Sequence, residues 1–393
     1  MHTDIFIVGT ARTAIGGFGG SLKDVPLTRL ATIAVKAALD RSEVAPDAVG
    51  HVVIGNVIPT ETSDAYLSRV AAIDAGIPQE TPAFNVNRLC GSGLQAIVSA
   101  AQSIALGDTE LAVAGGAEAM SRGPYLMPAA RWGARMGDNA VIDYMNGILH
   151  DPWGKIHMGV TAENVAERYG ISREAQDALA IESQRRAARA IAEGRFKAQI
   201  VPVEVATRKG TVVFDTDEHV RADVTAEGLA KMKPVFKPGG SVTAGNASGI
   251  NDGAAAVVLA EARRAEALGL KPLARLVGYA HAGVDPNYMG IGPIPATRKL
   301  LARVGLTVAD LDVIESNEAF AAQACAVIRE LELDPAKVNP NGSGISLGHP
   351  VGATGAIITV KAIHELHRIG GRYALVTMCI GGGQGIAAIF ERV

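Results

Sequence analysis

The sequence predicts an α/β protein made of two similar halves and one inserted segment, and three observations carry that prediction. Short β-branched runs alternate with longer Ala- and Leu-rich stretches at helical spacing. A strand, a Gly-rich turn opening a helix, a further strand and a glycine cluster follow one another near each end of the chain. Between the two copies lies a stretch whose composition matches neither. With 393 residues and 48% apolar composition, the chain has material for roughly two to three domains with sizeable cores.

Taken in order, Ile5-Phe6-Ile7-Val8, Val52-Val53-Ile54 and Leu111-Ala112-Val113-Ala114 read as buried strands. Leu27, Leu30, Ala34 and Ala38 mark one face of a first helix, and Leu94, Ile97, Ala101 and Ile104 one face of another. The first third is therefore a βαβ-type layer. Near the other end, Ala274-Arg275-Leu276-Val277, Asp312-Val313-Ile314 and Tyr373-Ala374-Leu375-Val376 repeat the strand pattern. Val52 to Cys90 and Val313 to His349 span nearly equal lengths, each from a strand to a Gly-rich turn, and the copies close on Gly115-Gly116 and Gly381-Gly382-Gly383. The two turns are read as equivalent positions of an internal duplication. The expected division is 1–120 as an N-terminal half, completed by about 251–272, then 121–250 as an inserted loop domain and 273–393 as a C-terminal half.

Trp132 and Trp153 lie between 120 and 158, together with Met120, Met127, Met136, Met145 and Met158. Two helices follow at roughly 161–169 and 172–193, the second with Ser172 as N-cap and Glu174 in its first turn. The stretch reads either as an irregular packing module or as a lid or subunit contact, since Met and Trp supply adaptable contact surface.

Composition excludes several classes. Lys and Arg number 37 against 40 Asp and Glu, a net charge of −3, so the chain as a whole makes no electrostatic claim on nucleic acid or anionic lipid. Any anionic ligand has to be met locally. Apolar runs are broken short of the ~20 residues of a membrane helix, and Met1-His2-Thr3-Asp4 leads into a strand-like segment, so neither a spanning segment nor a secretory signal is expected. Cys90, Cys325 and Cys379 are too few and too scattered for a disulfide framework or a zinc cage. They suit a reducing cytoplasm, where a free thiol can do chemistry. Glycine reaches 45 residues while aromatics are 4%, so backbone in tight places shapes the molecule more than aromatic bulk.

Four features carry chemistry. Asn87-Arg88-Leu89-Cys90-Gly91-Ser92-Gly93-Leu94 sets a cysteine just before a helix, where N-terminal amides stabilise a thiolate and pull its pKa below the free value of about 8.5. A buried structural cysteine is the alternative. Gly348-His349-Pro350-Val351-Gly352-Ala353-Thr354-Gly355 places a histidine at the equivalent turn of the second copy, as a Cys-His pair requires or as a turn residue before proline. Met378-Cys379-Ile380-Gly381-Gly382-Gly383-Gln384-Gly385 ends a buried strand in a second thiol, suited to moving a proton to or from carbon, with glycine N–H groups free to hold an oxyanion. Glu315-Ser316-Asn317-Glu318-Ala319-Phe320 offers an amide that can orient a water or a carbonyl.

On these motifs, with Ala244-Gly245-Asn246-Ala247-Ser248-Gly249, the sequence resembles the thiolases over its whole length, closest to the bacterial biosynthetic acetyl-CoA acetyltransferase or β-ketothiolase type. The resemblance implies the thiolase fold, two pseudo-equivalent βαβαβαββ halves in a layered arrangement whose sheets share buried helices. It implies that Cys90 takes the acyl group as a thioester, that His349 activates it, and that Cys379 abstracts or returns the α-proton of a second acyl-CoA. His349 and a water held by Asn317 would form one oxyanion site, and the N–H groups of Cys90 and Gly381 the other. The implied reaction is reversible Claisen condensation of two acetyl-CoA to acetoacetyl-CoA and CoA, with ping-pong kinetics and no cofactor beyond the coenzyme A thioester substrates. By the same carry-over, Ser248 and Ala244 touch the pantetheine arm, while Leu149, His157, Met158, Met289, Ala319 and Phe320 line its tunnel. Arg221 meets the nucleotide, or else is a solvated charge beside Asp223. A homotetramer, a dimer of dimers with contacts from about 121–150, is implied as well.

Ser316 stands where many acetyl-specific members carry Ala, and 339–347 differs from their usual Val- and Ala-rich version. The expected substrate range therefore reaches 3-ketovaleryl-CoA. Two rival classes remain. Gly91-x-Gly93-x-x-Ala96 with Glu118 fits the fingerprint of an NAD-dependent dehydrogenase, and a non-catalytic lipid carrier would make the thiols dispensable. His364-Glu365-Leu366-His367 lacks the spacing of a zinc helix and reads as part of an exposed amphipathic helix. The last residues, Phe390-Glu391-Arg392-Val393, are not a peroxisomal address, and no transit peptide is evident. The cytoplasm is the expected location, with no nucleic-acid or membrane partner.

Overall fold

β1 (Ile5–Arg12), β2 (His51–Gly55), β3 (Ala83–Val86) and β4 (Leu111–Ala119) alternate with α1 (Leu27–Ser42), α2 (Leu67–Asp74) and α3 (Ser92–Leu106). These belong to a computed structural model that describes residues 3–393; Met1 and His2 lie outside the described residues. β4 is buried along its whole length, as its near-continuous apolar run requires of a strand covered on both faces. β2 runs parallel to β3 and to β4, and β5 (Asn251–Glu261) returns after the long central stretch to lie antiparallel to both β4 and β1.

The central stretch carries α4 (Met158–Tyr169) and α5 (Arg173–Ala192), with Ser172 Oγ accepting the Ala175 N–H as the sequence predicts for the N-cap. Two separate two-stranded ribbons lie in the same region.

The second copy runs β6 (Ala274–Gly283), α6 (Pro293–Val304), β7 (Val313–Ser316), α7 (Ala321–Glu330), α8 (Thr354–Ile369), β8 (Tyr373–Ile380) and β9 (Gln384–Arg392). β7 is parallel to β8, β8 antiparallel to β9, and β9 antiparallel to β6, which reproduces the pairing of β2, β4, β5 and β1. The copies join where Phe6 and Ile7 of β1 pair with Arg275 and Ala274 of β6. The path is β7-β8-β9-β6-β1-β5-β4-β2-β3 within a ten-stranded sheet.

One element of the second βαβαβαββ unit is reduced. Where β3 stands in the first half, the second has only an isolated parallel bridge between Ile314 and Val338. Asn339 follows with a φ of 46° and precedes Pro340, so the chain leaves the extended conformation at once. The Asn339 side chain completes the edge instead, accepting from Ser316 N at 2.9 Å and donating to Ser316 O at 2.8 Å.

α3 and α8 are the shared buried helices. A Cβ at Gly93 would fall 2.7 Å from Ala356 N, and one at Gly355 would fall 2.3 Å from Leu94 N, so only glycine lets the two helices approach this closely. Leu89–Leu106 is long and apolar enough to cross a membrane by composition, and the fold uses it as core. The reading of 364–367 as an exposed helix is overturned. His364, Glu365 and Leu366 lie in the largely buried α8, with His364 Nε2 3.0 Å from Thr10 Oγ1 and only His367 near the rim. The helix has to cover both halves at once, so a single apolar stripe does not suffice.

Candidate active site

The turn from β3 to α3 is tied by its own polar groups. Asn87 Oδ1 accepts the Leu89 N–H at 2.9 Å, and Ser92 Oγ accepts from Arg88 N at 2.8 Å while donating to Leu89 O at 2.7 Å. Leu89 is held at a φ of 46°, a left-handed conformation that a leucine adopts only where its surroundings enforce it. Cys90 follows it and lines an internal cavity.

His349 reaches the same cavity from the second half. Gly348 before it has a φ of 105°, and Asn251 packs where a Cβ would stand, its nearest atom 2.4 Å away. That close fit lets Asn251 Oδ1 accept the His349 N–H at 2.9 Å. On the ring, Nδ1 lies 2.7 Å from Thr354 Oγ1 and Nε2 lies 3.5 Å from Asn317 Nδ2. Cys379, fully buried near the end of β8, is close enough to Cys90 to feel its charge. Past it, Gly381 lines the cavity and points its N–H at the Cys90 sulfur.

The electrostatics favour a neutral resting pair. Burial lowers the His349 pKa to about 4. The Cys90 thiol is raised above its ordinary value, chiefly by desolvation, although the Gly381 and Cys90 amides pull the other way. The expectation of a lowered Cys90 pKa is thus overturned. Although the side chain keeps partial exposure to the cavity, the surrounding protein outweighs the helix amides. Cys379 is raised as well, by burial first and by Cys90 second.

The cavity, about 250 Å³, is mostly apolar. Leu149, His157, Met158, Met289, Ala319 and Phe320 line it, and Ser248 does so as well. His157 caps α4 through Nδ1, which accepts the Gly159 N–H at 3.0 Å, and its ring stacks on Phe236 at 4.6 Å. Ser248 is placed by its N–H donating to Ala319 O at 2.9 Å. Asn317 and Cys379 adjoin the cavity through His349 and Cys90 without lining it, and Ala244 is exposed outside it. Arg221 is exposed, also outside the lining, and pairs with no carboxylate among the described residues.

Met120, Phe236, Ala247, Gly249, Ile250 and Val351 complete the walls; Phe236 and Ile250 were not singled out by the sequence, and the other four lay in stretches read there without a wall role. For Phe236 one signal exists, an aromatic between Pro234 and Pro238 in an aromatic-poor chain. Glu118, the proposed ribose acid, is fully buried and accepts N–H groups from Asn56, Val57, Ile58 and Gly352, which leaves it no face for a nucleotide. No group of three or more His, Cys, Asp or Glu among the described residues is placed to hold a metal.

A duplicated α/β fold that sets a thiol of one half in an apolar cavity and a thiol of the other half against it is suited to thiol-dependent acyl transfer. The chain belongs to the thiolase family: the family's "Thiolase, N-terminal domain" matches residues 5–263 and its "Thiolase, C-terminal domain" residues 270–392. It is 68% identical to the "Beta-ketothiolase BktB" of Cupriavidus necator, with 100% of both chains covered. It is 51% identical to the "Acetyl-CoA acetyltransferase" of Chromobacterium violaceum, over 99% of this chain and 100% of that one. Among solved structures, human mitochondrial 3-ketoacyl-CoA thiolase in complex with CoA superposes with a TM-score of 0.97 at 45% identity, covering 100% of this chain and 98% of that one.

Proposed function

We infer that this chain is an acetyl-CoA C-acetyltransferase of the β-ketothiolase kind, and that the side chains around the cavity act in it as follows. In thiolysis of acetoacetyl-CoA, the Cys90 thiol gives its proton to His349 as sulfur attacks the 3-keto carbon. The bond between that carbon and C2 breaks, and the electron pair left on C2 takes the proton of Cys379, releasing acetyl-CoA. CoA thiol then gives its proton to the Cys379 thiolate as its sulfur attacks acetyl-Cys90, the Cys90 sulfur is expelled and takes its proton back from His349, and a second acetyl-CoA leaves. Condensation is the reverse.

The convergence of Cys90, His349 and Gly381 on one apolar cavity, with Cys379 and Asn317 against it, carries this reading. A thiol held above its ordinary pKa beside a neutral imidazole suits transfer of the proton during attack. Cys379, also raised, keeps a proton to give to carbon. A thioester supplies a good leaving thiolate and an acidified α-carbon, so two thiols and N–H donors suffice, with CoA thioesters as substrates and no separate cofactor. Ser248 and Ala244 touch the pantetheine arm, the tunnel residues enclose it, and Arg221, an unpaired surface cation, meets the nucleotide end. The substrate range extends to 3-ketovaleryl-CoA, supported by Ser316, by the divergent 339–347 stretch and by the name of the 68% identical relative. A cytoplasmic homotetramer is the proposed form, in which 121–150 of the inserted 121–250 segment supplies contact surface.

The test is intact-protein mass after brief mixing with acetoacetyl-CoA without free CoA. Gain of one acetyl group by the wild type and none by Cys90→Ala is expected. No adduct in either protein, with acetoacetyl-CoA left intact, overturns the reading.

A further inference from the structure

The two nitrogens of the His349 ring face opposite chemistry. Nδ1 is 2.7 Å from Thr354 Oγ1, and that hydroxyl is within 2.9 Å of Pro350 O, to which it donates. A hydroxyl has one hydrogen, so once it is directed to the carbonyl the oxygen can only accept from the ring. On the other side, Nε2 faces the amide nitrogen of Asn317, a donor, at 3.5 Å. An acceptor at Nδ1 and a donor at Nε2 specify the same tautomer, with the hydrogen on Nδ1.

We propose that Thr354 is a positioning residue that fixes this tautomer and so leaves Nε2 as the bare nitrogen that receives the Cys90 proton. The proposal rests on the reading of His349 as the proton acceptor. Thr354 is well placed for the task, because it is buried as the first residue of α8 and is tied to Pro350, the neighbour of His349, by its own hydroxyl. Asn251, holding the His349 backbone N–H, fixes where the ring starts, and Thr354 fixes which way its hydrogen lies. Burial keeps the ring neutral near pH 7, so the tautomer and not the charge is what remains to be chosen. Without an acceptor at Nδ1 the hydrogen can sit on Nε2, where it meets the thiol hydrogen and no proton can pass.

The experiment compares Thr354→Val, Thr354→Ala and Thr354→Ser with wild type, reading the rate of Cys90 acetylation by acetoacetyl-CoA in quenched-flow mass measurements and the KM for acetoacetyl-CoA. Val and Ala remove the hydroxyl and are expected to slow acetylation ~10- to 100-fold with KM held within about twofold. Ser keeps the hydroxyl and is expected to recover the rate to within about threefold of wild type. If Val does not fold, Ala carries the comparison. Acetylation by Val or Ala at the wild-type rate, or equal loss in Ser and Ala, overturns the role of Thr354 while the acyl-enzyme reading stands. No acetylation of the wild type overturns both.

Discussion

The carboxylate of Glu118, next to the last residue of strand β4, accepts the backbone N–H of Gly352 from the opposite half at 2.7 Å, just beyond His349. The same carboxylate takes Asn56 Nδ2 at 2.7 Å, Ile58 N at 3.0 Å and Val57 N at 3.1 Å. Every partner is an N–H donor. Burial raises its pKa, and these donors oppose that rise by favouring the carboxylate. Glu118→Gln sets an NH2 against at least one of them and leaves a buried donor unpaired, a loss of about 1–3 kcal/mol. The expected result is a lower urea midpoint together with a lower kcat, since the His349 turn loses its tie. An unchanged midpoint would show that the clamp is not sensed.

The pKa directions at the site fix the pH dependence of the free thiol. With Cys90 raised and His349 near 4, the pair rests uncharged at pH 7. The thiolate fraction then grows about tenfold per pH unit below the thiol pKa. Iodoacetamide alkylation mapped to Cys90 is therefore expected to accelerate continuously from pH 6 to pH 9. A rate that is flat from about pH 5 upward would reveal a preformed thiolate-imidazolium pair and contradict this.

Lys361 and Glu315 form a wholly buried ion pair, Nζ to Oε2 at 2.7 Å, and Nζ also donates to Gly342 O at 2.6 Å. Lys361→Met strands a carboxyl in the core and is expected to cost about 3–5 kcal/mol in urea unfolding. Adding Glu315→Gln to that variant should restore part of the loss. If the double variant is no more stable than Lys361→Met alone, the pair is not the source of the cost.

Trp132 and Met136 are 82% and 96% exposed, with Tyr125 at 66% nearby in sequence. Exposed apolar side chains of this kind would supply the contact surface of the proposed homotetramer. With wild type sedimenting as the proposed tetramer, Trp132→Glu combined with Met136→Glu is expected to lower the sedimenting mass below that of wild type. A tetramer that survives both charges would place the contact elsewhere.

Much of the candidate site was legible one turn at a time. Cys90 and His349 stand out because each lies in a Gly-rich turn before a helix, and the repeat of strand, turn and helix links them across the chain. The cavity wall was legible only in part. Phe236, Ile250 and Val351 need only bulk and the right loop, and bulk without periodicity leaves no pattern to read. Val338 shows the same limit, since a strand of one bridge cannot be told from a loop by alternation.

The duplicated α/β order and the Gly-rich setting of Cys90, His349 and Cys379 are readable along the chain, because periodicity and glycine placement are local properties written in consecutive residues. The tertiary structure alone decided that α8 is buried on nearly all sides, that Glu118 is a clamp, and that the Cys90 thiol is raised. Each of these depends on how much protein from the other half closes over the group, and desolvation is summed over residues far apart in the chain.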